Sequence, residues 1–197
     1  MEILTVIFIG PQGSGKGTQV DMLKEQLSAI GEPRPITHIQ TGKPFRELAA
    51  QGGYTAGLVK DLVENGKFVP NILTNSFVVQ EFVKMHEADA HVLFDGYPRD
   101  IEQARFCEDI FSLYSREKVS VIYLDTPEDV VTERMLKRGR SDDTEETIKE
   151  RLRQYKAVTE PLVQYYESRP NTVVHRISGA SDVDTVRFAV STALGIL

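Results

Sequence analysis

The stretch Gly10-Pro11-Gln12-Gly13-Ser14-Gly15-Lys16-Gly17-Thr18 decides the fold of this chain. A run of apolar and β-branched residues precedes it at positions 3–9. After it, apolar residues recur at spacings of three and four positions: Val20, Leu23, Leu27 and Ile30. This order predicts a strand, a glycine-rich loop and a helix.

The loop has the composition of a phosphate-binding cradle. Glycines allow successive backbone N–H groups to turn inward around an anion, and the positive end of the following helix points at the same place. Lys16 can reach the outer phosphates, and the Thr18 hydroxyl can approach a Mg²⁺ ion held between phosphate oxygens. Gly17 separates these two residues, which departs from the strict pattern. We expect a nucleoside-triphosphate site that also uses Gly10, Gly13, Ser14, Gly15 and Gly17. The alternative is a glycine-rich turn without a ligand.

Composition and charge limit the possible functions. The 197 residues include 23 Lys and Arg against 29 Asp and Glu, and the net charge of -6 argues against a general nucleic-acid binder. No apolar stretch is long enough to span a bilayer, and residues 1–10 lack the basic leader of a signal peptide. We therefore expect one soluble domain in the cytoplasm. The single cysteine and the scattered histidines are expected to be structural or surface residues and not metal ligands: Cys107, His38, His86, His91 and His175.

Apolar runs at 3–9, 91–94, 119–124 and 172–177 alternate with helical patterns, and a weaker run lies at 36–39. This alternation predicts an α/β fold with three layers, in which helices cover both faces of a parallel central sheet. Ligands of such sheets bind beyond the carboxyl ends of the strands, where the glycine loop lies. Residues 31–69 are rich in Gly and Pro, which predicts a small lobe of short helices that moves over a second substrate.

Two short segments of this lobe suit a nucleoside monophosphate. In Thr41-Gly42-Lys43-Pro44-Phe45-Arg46, the arginine can hold a phosphate in a bidentate fork and Thr41 is available near a base. An arginine exposed at a helix start is the alternative interpretation. In Gly66-Lys67-Phe68-Val69-Pro70, which closes the lobe, Val69 would offer backbone groups to a base.

The run at 91–94 is followed by Asp95-Gly96-Tyr97-Pro98-Arg99. An acid at the tip of a strand beside a phosphate loop fits a carboxylate that orients Mg²⁺ and its water ligands, although Asp95 could instead cap a helix. Gly96 permits a tight turn, and Arg99 is presented to the same cleft. Gln103 follows four residues later, and its amide can pair with the edge of a base.

A cluster of arginines follows the strand at 119–124. Four arginines and two aspartates suit a flap over phosphates: Arg134, Arg138, Arg140, Arg151, Asp142 and Asp143. The alternative is an exposed helix face with salt bridges. Together with Lys16, Arg46 and Arg99, these arginines favour a local positive cleft in an acidic protein. Residues 144–168 predict a long helix, broken or kinked near Pro161.

Over nearly its whole length the chain resembles the adenylate kinases of the nucleoside monophosphate kinase family. The resemblance rests on GPQGSGKGTQ (10–19), TGKPFR (41–46), GKFVP (66–70), DGYPRDIEQA (95–104) and RMLKRGRSDDTEET (134–147) with Arg151. It implies a single P-loop kinase domain over 1–197, a nucleoside-monophosphate lobe at 31–69 and a very short lid at 134–144. It also implies the reaction ATP + AMP ⇌ 2 ADP with Mg²⁺.

The resemblance also implies roles for individual residues. Residues 10–18 would hold ATP, with Arg138 close by and Arg134 packed against the adenine. Mg²⁺ would lie near Thr18 and Asp95, mostly through water, and no zinc is expected because the long lid is absent. The chain is expected to act as a monomer on ATP, AMP and ADP. The residues that would hold AMP are Thr41, Gly42, Arg46, Val69, Gly96, Arg99, Gln103, Arg140 and Arg151. The residues that would act on the transferring phosphoryl group are Lys16, Arg99, Arg138, Arg140 and Arg151.

The sequence departs from the family pattern at three places. Gln12 stands where proline is usual and Lys43 where aspartate is usual, and only one residue separates Arg138 from Arg140, where several more are normal. Three alternatives therefore stay open: a kinase of UMP or CMP, a nucleotide-dependent switch without phosphoryl transfer, and an inactive relative.

Overall fold

The computed structural model describes residues 2–30, 33–85 and 87–196. Its strands are β1 (Thr5–Ile9), β2 (Ile36–Gln40), β3 (His91–Asp95), β4 (Val119–Asp125) and β5 (Thr172–Ser178). They form one sheet in the order β2-β3-β1-β4-β5, and every pairing is parallel. The weak apolar run at 36–39 is therefore a real strand at the edge of the sheet, and the prediction of a parallel sheet is confirmed.

The helices are α1 (Lys16–Ala29), α2 (Gly42–Ala50), α3 (Tyr54–Glu64), α4 (Asn71–Val83), α5 (Ile101–Leu113), α6 (Glu128–Arg138), α7 (Glu145–Gln154), α8 (Pro161–Glu167) and α9 (Val183–Ala193). The long helix expected over 144–168 is divided by a π-helical turn at Tyr155–Thr159. Pro161 opens α8, where its missing N–H is not needed by the helix.

Helices cover both faces of the sheet. Because side chains alternate along a strand, Ile7 and Ile9 of β1 face one apolar cluster, while Val6 and Phe8 face the other. The first cluster contains buried residues of α4, α5 and α8, and the second contains buried residues of α1 and α9. The three-layer α/β architecture is thus confirmed. β1 lies in the middle of the sheet, so the loop that follows it opens at the centre of the carboxyl edge.

The segment predicted to form a small lobe has two parts. Ile36–Gln40 belongs to the sheet, whereas α2 and α3 pack on each other around a separate cluster of Phe45, Val59 and Val69. Residues 31 and 32, at the start of the predicted lobe, lie outside the described residues, as does His86. Within the described ranges, no helix is both long and apolar enough to cross a membrane.

Candidate active site

A cleft of about 690 Å³ opens along the carboxyl edge of the sheet. It is lined by residues of the glycine loop, the ends of β2 and β3 and the segment 66–69, and by four residues of the predicted lid: Arg134, Arg138, Arg140 and Asp142. The residues proposed individually to bind ATP, AMP or Mg²⁺, or to act on the phosphoryl group, all lie in its wall, whereas Pro11 of the loop and Asp143 of the predicted flap do not. The fold therefore brings together positions that are up to 141 residues apart in the sequence, from Gly10 to Arg151.

The glycine loop is shaped to hold Lys16. Gly13 has a φ of 88°, and a Cβ there would lie 2.8 Å from the Val131 carbonyl oxygen, so a larger residue would both strain the loop and collide with α6. The Lys16 ammonium donates to the carbonyl oxygens of Gly10 at 2.7 Å and Pro11 at 2.8 Å. The pKa of Lys16 is lowered to about 8, chiefly by burial; the charge of Asp95 opposes this shift, and the charges of Arg99 and Arg138 add to it.

Asp95 is the last residue of β3, and its carboxylate lies beside the start of α1. Its Oδ2 accepts a hydrogen bond from Gln40 Nε2 at 3.4 Å, and a Cβ on Gly17 would lie 3.4 Å from the same oxygen. The possibility that Asp95 caps a helix is wrong, because the cap of α5 is Asp100, whose side chain accepts the Gln103 N–H. The Asp95 side chain therefore lies beside the glycine loop and does not cap a helix.

The carbonyl oxygen of Gly96 joins two sides of the cleft. It accepts hydrogen bonds from the Thr41 hydroxyl at 3.0 Å and from Arg99 Nε at 2.8 Å. Arg46 lies one turn into α2, where its Nη1 is 3.3 Å from the position of a Cβ on Gly42. Thr41 is buried, and Arg46 is half-buried with no salt bridge to another described residue. The side chain of Arg46 is thus less exposed than the fully solvated arginine of the alternative interpretation.

Arg99 is also supported from the segment that closes the lobe. Its guanidinium lies 5.3 Å from the centre of the Phe68 ring, a distance typical of a cation–π contact. The neighbouring Val69 carbonyl accepts a hydrogen bond from the Thr74 hydroxyl at 3.2 Å, which leaves this oxygen a second lone pair. The Arg99 carbonyl accepts from the Thr159 hydroxyl at 2.8 Å, so the π turn fixes the backbone of Arg99.

The segment predicted to form the lid comprises the end of α6 and the turn before α7. α6 ends at Arg138, Gly139 takes a left-handed conformation, and Thr144 caps α7 in a capping box with Thr147. Arg138 binds both carboxylate oxygens of Asp143 at 2.9 and 2.8 Å. Arg151 also binds Asp143 at 2.8 Å and pairs with Asp142.

These contacts and the surrounding charges shift the pKa values of Asp143 and Arg140. Burial alone would raise the pKa of Asp143, but hydrogen bonds and charges from Arg138 and Arg151 hold that pKa below its ordinary value. Desolvation, followed by the charges of Arg138 and Arg46, lowers the pKa of Arg140. Arg140 is exposed and has no salt bridge to another described residue. Arg134 donates to the Gly179 carbonyl at 2.7 Å, which holds it beside the loop after β5.

Comparison with known proteins decides the family of this chain. The family model described as "Adenylate kinase" matches residues 8–171. The chain belongs to the adenylate kinase family. This confirms the resemblance drawn from the sequence motifs.

Curated adenylate kinases from several bacteria are similar over almost their whole length. The adenylate kinase of Nocardia farcinica is 36% identical over 192 residues, which cover 98% of this chain and 99% of the relative. That of Thermus thermophilus is 35% identical over 195 residues and 97% of each chain. That of Corynebacterium urealyticum is 37% identical over 193 residues, with 97% and 99% covered.

Several residues of this adenylate kinase cleft were not identified from the sequence. Phe68 was quoted as part of a motif, but its contact with Arg99 joins segments 31 positions apart and has no local signal. Tyr155 and Thr159 also line the cleft, and they depend on the π turn, which no sequence pattern predicted. Buried aromatic or hydroxyl residues at such places look like ordinary core residues in a sequence.

Proposed function

We propose that the cleft transfers the γ-phosphoryl group of MgATP to AMP, reversibly and with two molecules of ADP as products. One observation carries the proposal: two sets of cationic side chains, from separate elements, face one cleft. Lys16 belongs to the triphosphate loop, whereas Arg46 and Arg99 lie on the acceptor side. Membership of the adenylate kinase family supports the same reaction.

The chemistry requires positioning more than covalent help. An oxygen of the AMP phosphate attacks the γ-phosphorus in line, a new P–O bond forms, and the bond to the β–γ bridging oxygen breaks with its electron pair on ADP. The attacking phosphate is already ionised, so we assign no general base. Five cationic residues would stabilise the charge on the equatorial oxygens: Lys16, Arg99, Arg138, Arg140 and Arg151.

We assign the ATP side to residues 10–18 with Arg134 and Arg138. The AMP side comprises the remaining acceptor residues of the cleft wall: Thr41, Gly42, Arg46, Val69, Gly96, Arg99, Gln103, Arg140 and Arg151. The proposed lobe at 31–69 and the lid at 134–144 would carry their parts of these sites over the fixed loop. All of these residues come from one chain, which supports a monomer as the active unit.

The residues present fit Mg²⁺ bound largely through water and phosphate oxygens. The Thr18 hydroxyl is exposed at the start of α1, and the Asp95 carboxylate lies beside Gly17. Among the described residues, no group of three or more His, Cys, Asp and Glu side chains could enclose a metal ion. Mg²⁺ typically keeps several water ligands and uses few protein ligands, and it neutralises phosphate charge. We propose Mg²⁺ and no zinc for this chain, and the cytoplasm as its compartment.

The test is ADP formation from MgATP with AMP, CMP, UMP or GMP supplied one at a time. Strong selectivity for AMP is the expected result, and it would also show that the short lid supports transfer. Use of CMP or UMP instead would contradict the AMP assignment and identify a pyrimidine-nucleotide kinase. Binding of ATP without use of any acceptor would favour a switch or an inactive relative.

A further inference from the structure

The side-chain amide of Gln103 is held at both ends inside the cleft wall. The residue is only 3% exposed, its Oε1 accepts the Arg99 backbone N–H at 2.7 Å, and its Nε2 donates to Asn71 Oδ1 at 2.7 Å. A backbone N–H can only donate, so the atom that faces Arg99 must be the amide oxygen. The orientation of this amide is therefore fixed from one end.

Asn71 fixes it from the other end. The first residue of α4, Asn71 lies behind Gln103 and does not line the cleft. Its Nδ2 donates to Glu102 Oε2 at 3.2 Å, and an ionised carboxylate can only accept. The chain of bonds thus begins at an obligate donor, the Arg99 N–H, and ends at an obligate acceptor, the Glu102 carboxylate.

A reversed Gln103 amide has no place in this chain of bonds. Its NH₂ group would meet the Arg99 N–H, which places donor against donor. Its oxygen would meet Asn71 Oδ1, which places acceptor against acceptor. Asn71 could relieve the second clash only by turning its own oxygen toward Glu102. Each unsatisfied buried group would carry its full desolvation cost, so one orientation is selected.

The orientation matters because each amide atom keeps one unused bonding position. An amide oxygen accepts two hydrogen bonds and an NH₂ group donates two, so Gln103 retains one acceptor and one donor in fixed order. The pairing edge of a 6-aminopurine presents a donor at N6 and an acceptor at N1. A 6-oxopurine presents the reverse, an acceptor at O6 and a donor at N1. Reversal of the amide would therefore exchange the base that it matches.

We propose that Asn71, anchored by Glu102, is a positioning residue that sets the purine specificity of the acceptor site. The proposal rests on the proposed function in one respect, namely that Gln103 faces the base of the acceptor. Asn71 itself touches no substrate. It acts by keeping the Gln103 amide in the order that matches a 6-aminopurine and opposes a 6-oxopurine.

The test compares AMP with IMP, which differ at the 6-position of the purine and in the hydrogen on N1. Asn71→Leu removes the acceptor of Gln103 Nε2, so only the Arg99 N–H still selects the orientation of the amide and the reversed orientation becomes less costly. We expect the ratio of kcat/KM for AMP to that for IMP to fall about tenfold, the size of one neutral hydrogen bond. The KM for AMP should rise and that for IMP should fall, with little change in the KM for ATP. Gln80→Leu is the matched control, an exposed amide on the same helix and away from the cleft.

A second variant covers the case in which Asn71→Leu does not fold. Glu102→Gln is isosteric and exposed, and its new amide can donate as well as accept, so Asn71 is no longer anchored. We expect a smaller fall of the AMP/IMP ratio in the same direction. The inference would be overturned if folded Asn71→Leu kept the same AMP/IMP ratio or lost activity equally with both acceptors. If only Glu102→Gln folds, an unchanged ratio in that variant would overturn it. Failure of the unsubstituted chain to use AMP would instead contradict the proposed function.

Discussion

The half-buried Lys16 donates to the carbonyl oxygens of its own loop, and its pKa is lowered from 10.5 to about 8, chiefly by desolvation. A bound triphosphate brings negative charge and raises this pKa. Between about pH 8 and pH 10, binding of ATP should therefore take up a proton, and ATP affinity should fall as the pH rises. Below about pH 7 this contribution should vanish, because Lys16 is protonated in both the free and bound states.

Calorimetric titration with ATP in two buffers of different ionisation enthalpy measures that proton uptake directly. At pH 9 the two buffers should give different binding enthalpies, and at pH 6.5 the part due to Lys16 should be absent. In Lys16→Met the uptake at pH 9 should disappear together with much of the affinity. The same proton uptake in this variant would show that another group is responsible.

Arg138→Ala and Arg99→Ala should both remain folded and lose activity. Asp143 keeps its bond to Arg151 when Arg138 is removed, so no buried carboxylate is left without a partner. A contact that strengthens in the transition state typically contributes about 100-fold or more to the rate. We expect kcat to fall by about this factor in steady-state assays, with little change in the unfolding temperature.

Arg153→Ala is the matched control for this pair. Arg153 is an exposed arginine of α7 that binds Glu150 at 2.8 Å and does not line the cleft. Its removal should leave kcat within about twofold, since an exposed ion pair contributes little. Near-normal turnover in Arg138→Ala or Arg99→Ala would remove that arginine from the proposed catalytic set.

At the level of elements, the end of the predicted lobe contacts α7 at Gly66. This residue has a φ of 67°, and a Cβ there would lie 2.9 Å from the Thr147 carbonyl oxygen of α7. The adjoining backbone is also bound by Gln154 of α7, which accepts the Phe68 N–H at 3.0 Å and donates to the Gly66 carbonyl at 3.3 Å. The end of the proposed AMP lobe therefore rests directly on the helix that carries Arg151.

Gly66→Ala should destabilise the protein more than an ordinary glycine substitution. The left-handed conformation costs alanine about 1–2 kcal/mol, and the collision with a backbone carbonyl adds about 1–3 kcal/mol. Gly52→Ala is the control, because Gly52 has a similar φ of 78° but no atom within 4 Å of the added Cβ. Urea unfolding should show about 1–2 kcal/mol for Gly52→Ala and a clearly larger loss for Gly66→Ala. Equal losses would mean that α7 moves aside without cost.

Elements with strong apolar runs could be predicted from the sequence, whereas contacts between them could not. β1, β3 and β4 are buried on both faces and have continuous apolar runs. β2 lies at the edge and is only partly buried, so its apolar run was short and predicted the strand less strongly. Pro161 is visible in the sequence and predicted a break in the helix near that residue. The π turn at 155–159 was not predicted, because a π turn has no local sequence signal. The pairing of Gln103 with Asn71 spans 32 positions and follows only from the packing of α4 against α5.

The molecule as a whole has an excess of negative charge, but its cleft is lined by several cationic side chains. The net charge is -6, yet Lys16, Arg46 and Arg140 line one cavity, together with Arg99, Arg138 and Arg151. The fold keeps them close because Asp142 and Asp143 pair with Arg138 and Arg151, which limits their mutual repulsion. Lys16, Arg46, Arg99 and Arg140 have no such partner among the described residues, so their charges are available to bound phosphate.

This division of charge predicts two separate nucleotide sites in each chain. Calorimetry with an ATP analogue whose β–γ bridge is nitrogen, followed by AMP, should give one molecule of each per chain. Arg46→Ala should weaken AMP binding at least tenfold and leave the analogue unaffected, because a charged hydrogen bond to phosphate is lost only on the acceptor side. Lys60→Ala, at an exposed cation of α3 that does not line the cleft, should change neither affinity much. A single nucleotide per chain would contradict a phosphotransferase and fit a switch, and an equal loss of both ligands in Arg46→Ala would mean that the two sites are not separate.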